Sequence, residues 1–157
     1  MSETPANVLP IALRSGFDDF RIVRDRLLGK ELSPFRRSHR QVPYVLFTDP
    51  EFAHCGLREN EAKANGIKYR LAKIPMAAFL RTLTSGETAG FAKALISIED
   101  DTILGFSAVG AGVGELLPVV QLAMKRGLPY TDISELVITH PTLNEGLVAL
   151  FSAVPKL

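Results

Sequence analysis

Twenty residues in the middle of this 157-residue chain constrain its fold most. Gly90-Phe91-Ala92-Lys93-Ala94-Leu95-Ile96-Ser97-Ile98 reads as a strand. Glu99-Asp100-Asp101-Thr102 reads as a tight turn, and Ile103 to Val109 as the return strand. Apolar, β-branched runs on either side of a short acidic turn favour a β-hairpin. A hairpin pairs its strands antiparallel and cannot belong to a β-α-β crossover. The sheet around it is therefore expected to be mainly antiparallel.

The flanking segments extend this pattern. Tyr44-Val45-Leu46-Phe47-Thr48 is rich in strand formers and ends at Asp49-Pro50, a turn. Phe52 to Leu57 fits a second strand. Arg58 to Asn65 has helical composition and stops at Gly66. Ile67 to Ile74 alternates apolar and charged residues, the signature of a half-buried strand. Pro75 opens a short segment, Met76 to Arg81, and Ser85-Gly86-Glu87 reads as a loop. From Gly114 to Arg126 an apolar stretch carries Glu115 in its first turn and Lys125 and Arg126 in its last, with Gly127 and Pro129 beyond. That order suits a helix dipole and its terminators. Asp132 to Glu135 suits a helical turn, and Leu143 to Phe151 a final helix. Strands with few helices between them give an α+β expectation: a mainly antiparallel sheet flanked by helices.

The domain plan follows from composition. Residues 1–16 read as a loose leader, 17–41 as a connecting segment, and 42–157 as the folded domain. Within the connecting segment, residues 17–28 fit either a short strand and turn or a helix bearing Phe20, Val23, Leu27 and Leu28 on one face. Residues 29–41, with Lys30, Arg36, Arg37, His39 and Arg40, read as a solvated basic linker.

Charge excludes some partners. Lys and Arg number 18 against 17 Asp and Glu, a net charge of +1. That balance gives no general pull toward nucleic acid or an anionic membrane. No apolar run is long enough to span a bilayer, because Pro118 or charges interrupt the longest candidates. The first residues lack the basic-then-apolar order of a signal peptide, so a cytoplasmic setting is expected. Cys55 is the one cysteine, which rules out an internal disulfide or dithiol in this sequence.

Chemistry concentrates near the end, at His140-Pro141-Thr142-Leu143-Asn144-Glu145. An imidazole exchanges protons near neutral pH, and a carboxylate in reach can hold the ring in one orientation. His140 and Glu145 thus form half of an acid–base site. A competing reading exists: Thr142-x-x-Glu145 is also a capping box, with Glu145 turned back to the Thr142 amide. One carboxylate cannot fully serve both. A hydrolase pairing His140 with Ser107 or Ser152 has no nucleophile-elbow pattern behind it.

Other features weigh less. Gly110-Ala111-Gly112-Val113-Gly114 follows a strand and opens a helix, but its spacing is G-x-G-x-G and its strand belongs to a hairpin. Glu115 would repel a pyrophosphate there, so the glycines are expected to serve a tight turn and close packing. Cys55, between Phe52 and Leu57, is expected to be buried and inert. His39 and His54 are expected at the surface. The three histidines show no metal-ligand spacing.

An ordered set of segments resembles the C-terminal dimerisation domain of the pyridine nucleotide-disulfide oxidoreductases, a family that includes glutathione reductase, dihydrolipoamide dehydrogenase and mercuric reductase. The segments are Val42-Pro43 through Phe47-Thr48-Asp49-Pro50-Glu51, Gly56-Leu57 with Glu61-Ala62, Gly90-Phe91-Ala92-Lys93, Ile103-Leu104-Gly105, Gly114-Glu115-Leu116 and His140-Pro141-Thr142-x-x-Glu145. The match covers roughly residues 42–155. Phe17-Asp18-Asp19-Phe20-Arg21-Ile22 also looks like the strip where the family's chain leaves its flavin domain.

The resemblance implies a homodimer whose active sites lie at the subunit interface. It implies that His140 exchanges a proton with the partner's redox thiol, that Glu145 orients the ring, and that the His140–Pro141 bond is cis. Leu143, Leu147, Leu150 and Phe151 are candidates for the dimer's apolar contact. The family uses FAD and NAD(P), held by domains with a G-x-G-x-x-G fingerprint and a redox cysteine pair. Neither motif occurs in these residues, so this chain alone is expected to bind no flavin or nucleotide and no metal. The expected function is therefore the interface domain of a flavin-dependent disulfide reductase. The alternative is a stand-alone self-associating interaction protein or gene remnant without catalysis.

Overall fold

The computed structural model describes residues 19–30 and 42–156. The leader over 1–16 and most of the basic linker, His39 included, lie outside the described residues. Residues 19–27 are helical, which settles the choice left open for that segment, and Phe20, Val23, Leu27 and Leu28 are all exposed.

Five strands follow: β1 (Tyr44–Leu46), β2 (Glu51–Gly56), β3 (Tyr69–Pro75), β4 (Phe91–Ser97) and β5 (Ile103–Gly110). They form one sheet in the order β1-β2-β5-β4-β3, every pair antiparallel. The central hairpin is β4–β5, with a bulge between Leu95 and Ile96. Its turn is held by side chains. Asp100 Oδ1 accepts from the Thr102 hydroxyl at 2.8 Å, and Asp101, in the left-handed region at φ 60°, pairs with Arg70.

Besides the helical stretch over 19–27, the helices are α1 (Glu59–Ala64), α2 (Leu80–Ser85), α3 (Leu117–Arg126), α4 (Thr131–Ser134) and α5 (Glu145–Ser152). Short 3₁₀ turns at Met76–Ala78 and Val113–Leu116 precede α2 and α3. The apolar stretch from Gly114 is thus not one helix: Pro118 has no amide hydrogen and sits in the first turn of α3, so the α pattern begins there. Gly127 closes α3 in the left-handed conformation at φ 63°.

Alternation along the strands decides which residues face which layer. Ala53, Cys55, Ala72, Ala92, Ala94, Ile96, Phe106 and Ala108 turn toward α3 and α5 and are buried. Small side chains on the sheet let the two helices lie close, and Val120, Leu147, Leu150 and Phe151 fill the space between. The opposite face carries Phe52, His54, Phe91, Lys93 and Ser107. It is covered at one end by α1, where Glu59 Oε1 meets Lys93 Nζ at 2.5 Å.

This packing corrects one expectation. Leu147, Leu150 and Phe151 are fully buried within the single chain, and Leu143 packs against the same core. The apolar face of α5 holds the sheet and is not available as a contact surface.

Candidate functional site

The end of α4 at Ser134 and the start of α5 at Glu145 bracket a ten-residue loop. His140 lies on it, followed by a cis His140–Pro141 bond, as expected. The loop returns to helix through Asn144, the residue before α5. Leu143 and Asn144 offer their carbonyls to the amides of Gly146 and Leu147 at 3.0 Å each. Gly146 is required here. A Cβ at that position would stand 1.7 Å from Cδ1 of Phe79, so only glycine lets α5 seat against that ring.

Seating α5 places the first carboxylate of the helix beneath the imidazole. His140 Nδ1 lies 3.1 Å from both Oε1 and Oε2 of Glu145. Carboxylate oxygens accept, so Nδ1 is the donor, and in the neutral ring Nε2 keeps its lone pair. The His140 side chain is 63% exposed and Glu145 29%. Among the described residues, Nε2 has no hydrogen-bond partner. The arrangement is a ring fixed at one nitrogen and presented to the exterior at the other.

The capping-box reading fails on the same geometry. Glu145 spends both oxygens on His140, the helix starts at Glu145, and the buried Thr142 hydroxyl has no partner among the described residues. The Asn144 side-chain oxygen, also buried, is likewise unpaired there.

The other candidates fall elsewhere. His54 is not at the surface; it is 3% exposed, on β2. Its Nε2 lies 2.9 Å from the Gly56 carbonyl and its Nδ1 2.9 Å from Ser107 Oγ on the neighbouring strand. The carbonyl can only accept, so in the neutral ring Nε2 donates and Nδ1 takes the serine hydrogen. Burial lowers the His54 pKa below its usual 6.5, against the pull of the Gly56 bond and with help from the nearby Arg58. Ser107 is thereby paired with His54 and not with His140. This pair was not foreseen, although a polar residue opposite the small side chains of β2 was its one visible sign. Cys55 is fully buried, and its thiol is pushed up to about 11, in keeping with an inert side chain.

The glycine-rich stretch does not fit a flavin or nucleotide phosphate. The Gly114 amide points to Glu51 Oε2 at 3.3 Å, so an acid already stands where a phosphate would bind. A side chain on Gly110 would collide with Met76, and one on Gly114 would crowd Val45 at 3.1 Å. These glycines serve close packing. No cluster of three or more metal-binding side chains occurs among the described residues.

An antiparallel α+β domain that offers a carboxylate-braced histidine on an exposed loop matches a known class. The family model of the pyridine nucleotide-disulphide oxidoreductase dimerisation domain matches residues 42–151. The chain belongs to the pyridine nucleotide-disulfide oxidoreductases, as their dimerisation domain. Among its relatives, the probable pyridine nucleotide-disulfide oxidoreductase RclA of Escherichia coli is 34% identical over 137 residues, 87% of this chain and 31% of that protein. The dihydrolipoyl dehydrogenase of Thermus scotoductus is 39% identical over 116 residues, 74% of this chain and 25% of that protein. Among solved structures, the HOCl-induced flavoprotein disulfide reductase RclA from Escherichia coli superposes with a TM-score of 0.80 at 33% identity, covering 88% of this chain and 32% of that one. The chain thus spans about a third or less of the length of these relatives. Among the described residues no helix is long and apolar enough to cross a membrane.

Proposed function

We propose that this chain supplies the acid–base half of a two-chain disulfide reductase site. His140 Nε2 exchanges protons with a redox thiol on a partner, and Glu145 positions the ring. The observation that carries this reading is the braced imidazole: Nδ1 held by both Glu145 oxygens, and Nε2 facing outward. In the proton-balanced step, Nε2 takes the proton of the partner's thiol. The resulting thiolate attacks a substrate disulfide and forms a mixed disulfide. The departing thiolate then receives the proton back from Nε2, which restores the neutral ring. A flavin and a pyridine nucleotide, the groups that the names of the relatives carry, would supply the electrons.

In this reading residues 42–157 are the dimerisation domain and 17–41 connect it to a flavin-binding unit. The partner is a second copy of this chain or a chain with the flavin and nucleotide domains, in the cytoplasm, with no nucleic acid or membrane involved. Leu136 and Val137, 49% and 103% exposed just ahead of His140, give the partner an apolar foothold beside the histidine.

The test is NAD(P)H-driven disulfide reduction by this chain mixed with a family member's flavin-bearing portion. His140→Ala is expected to lower turnover by about a hundredfold or more, the usual contribution of an acid–base group, with assembly size unchanged. Glu145→Gln is expected to move the pH at which turnover is half-maximal as well as its amplitude. Unchanged turnover in His140→Ala would overturn the assignment.

One other reading is self-association without chemistry, in which the exposed Leu136 and Val137 serve only as a contact surface. A stable dimer by sedimentation that assembles with no flavin-bearing chain and supports no turnover would establish it.

A further inference from the structure

The face of the sheet turned away from the core holds a second concentration of chemistry that the proton-exchange reading leaves unused. A solvent-open cleft of about 450 Å³ lies between α1 and strands β2, β5 and β4. Its volume falls in the range that accommodates small organic ligands.

Cross-strand register builds the cleft in two rows. His54, Ser107 and Lys93 are neighbours across β2, β5 and β4, and in the adjacent row Phe52 and Phe91 flank Val109. At the base, the buried His54–Ser107 pair is almost inaccessible, and Ser107 keeps lone pairs that the imidazole does not use. The two phenylalanines supply flat apolar walls. The back of the Phe91 ring is already braced by Lys73 Nζ, 4.6 Å from its centroid.

The lining is strongly cationic. Arg58, Lys63 and Lys93 stand against one acid, Glu59, and His54 is neutral. Lys93 is satisfied by Glu59, but Arg58 spends its guanidinium on the uncharged Tyr44 hydroxyl, at 2.5 Å. Lys63 forms no hydrogen bond or close ion pair among the described residues. The lining thus carries a net positive charge at its mouth, where Lys63 faces Glu59 and the Arg58 amide donates to Glu61 Oε2 at 2.8 Å, and that net charge favours an anion. The carboxyl of Glu59 senses this field: the Lys93 hydrogen bond first, then Lys93, Lys63 and Lys73 as charges, holds it below the usual carboxylate range.

We propose that this cleft binds a small aromatic acid, a carboxylate or phosphate group carried on a flat ring. Arg58 and Lys63 pair with the acidic group at the mouth. The ring lies between Phe52 and Phe91, above the buried His54–Ser107 pair. Lys93 stays with Glu59 and closes one side. The site is separate in sequence and in strand position from the His140 loop, so it does not depend on the acid–base reading.

Histidine ring resonances of the full chain give the test, at constant ionic strength, with benzoate, phenyl phosphate and inorganic phosphate as probes. Benzoate, phenyl phosphate or both are expected to shift the His54 resonances saturably while those of His140 stay in place. Lys63→Gln and Arg58→Gln are each expected to weaken that binding by about tenfold, the effect of losing one charge-assisted contact. Inorganic phosphate is expected to bind about tenfold more weakly than phenyl phosphate, because it lacks the ring. Shifts that never saturate with either aromatic probe, or equal affinity in both variants and the parent, would overturn the site. Inorganic phosphate binding as tightly as phenyl phosphate would overturn the assignment of an aromatic ligand.

Discussion

His54 shows how a single side chain makes stability depend on pH. Burial holds its folded pKa below the 6.5 of the free ring, so the unfolded chain takes up a proton before the native one does. The stability tied to its neutral form is complete above about pH 6.5 and is lost as pH falls through that value toward the folded pKa. His54→Gln removes the term. The difference in unfolding free energy between parent and variant, followed by urea titration from pH 8 to 5, is expected to shrink as pH falls. A constant difference would show that the ring is not held neutral. Gly146 makes a second prediction at this scale. Gly146→Ala forces its Cβ into the Phe79 ring and is expected to cost about 1–3 kcal/mol in the same assay, as overpacking does. The two histidine sites were not equally legible. His140 and Glu145 are five positions apart, so their pairing shows in local spacing. His54 and Ser107 are 53 residues apart and meet only through the β2–β5 register, which no short window of sequence contains.

At the level of elements, local chemistry was a good guide wherever the signal was alternation or a terminator. The β4–β5 hairpin, the helix that ends before Gly66 and the half-buried strand after it all lie where composition put them, to within about two residues. The errors came from long-range packing. The apolar face of α5 was read as a contact surface because its partners, β3 and β4 on the far side of the sequence, could not be seen from the helix itself. Thr142-x-x-Glu145 was open to a capping reading because the choice between the helix amide and the imidazole is made by the loop before it. Gly127, by contrast, does what its position suggested. Gly127→Ala, at φ 63° with open space around its Cα, is expected to lose about 1 kcal/mol from backbone strain alone, seen as a lower thermal midpoint with unchanged far-ultraviolet dichroism.

At the scale of the whole molecule, the helix-covered face of the sheet is closed and the surface ahead of His140 is open. Leu150→Ala is expected to destabilise the single chain by about 2–5 kcal/mol, as removal of a buried leucine does, because that side chain has no exposure to give a partner. Val137→Asp is expected to change the unfolding free energy by no more than about 0.5 kcal/mol, as at other exposed positions, yet to weaken pairing measured by sedimentation. The reverse pattern, a stable core in Leu150→Ala with lost pairing, would restore α5 as the interface. The sheet order could not have been read from composition; what is expected from sequence is a mainly antiparallel sheet flanked by helices, and the superposition with RclA agrees with that fold.

Glu145 is followed directly by the tightest steric contact among the glycines described, Gly146 against Phe79. The carboxylate that braces the exposed His140 ring is therefore anchored in hydrocarbon on the far side of its own helix. On the proposed acid–base reading, random mutagenesis scored only by turnover would accordingly recover lesions at Phe79, a side chain remote from the imidazole's free nitrogen, and would misfile them as losses of chemistry.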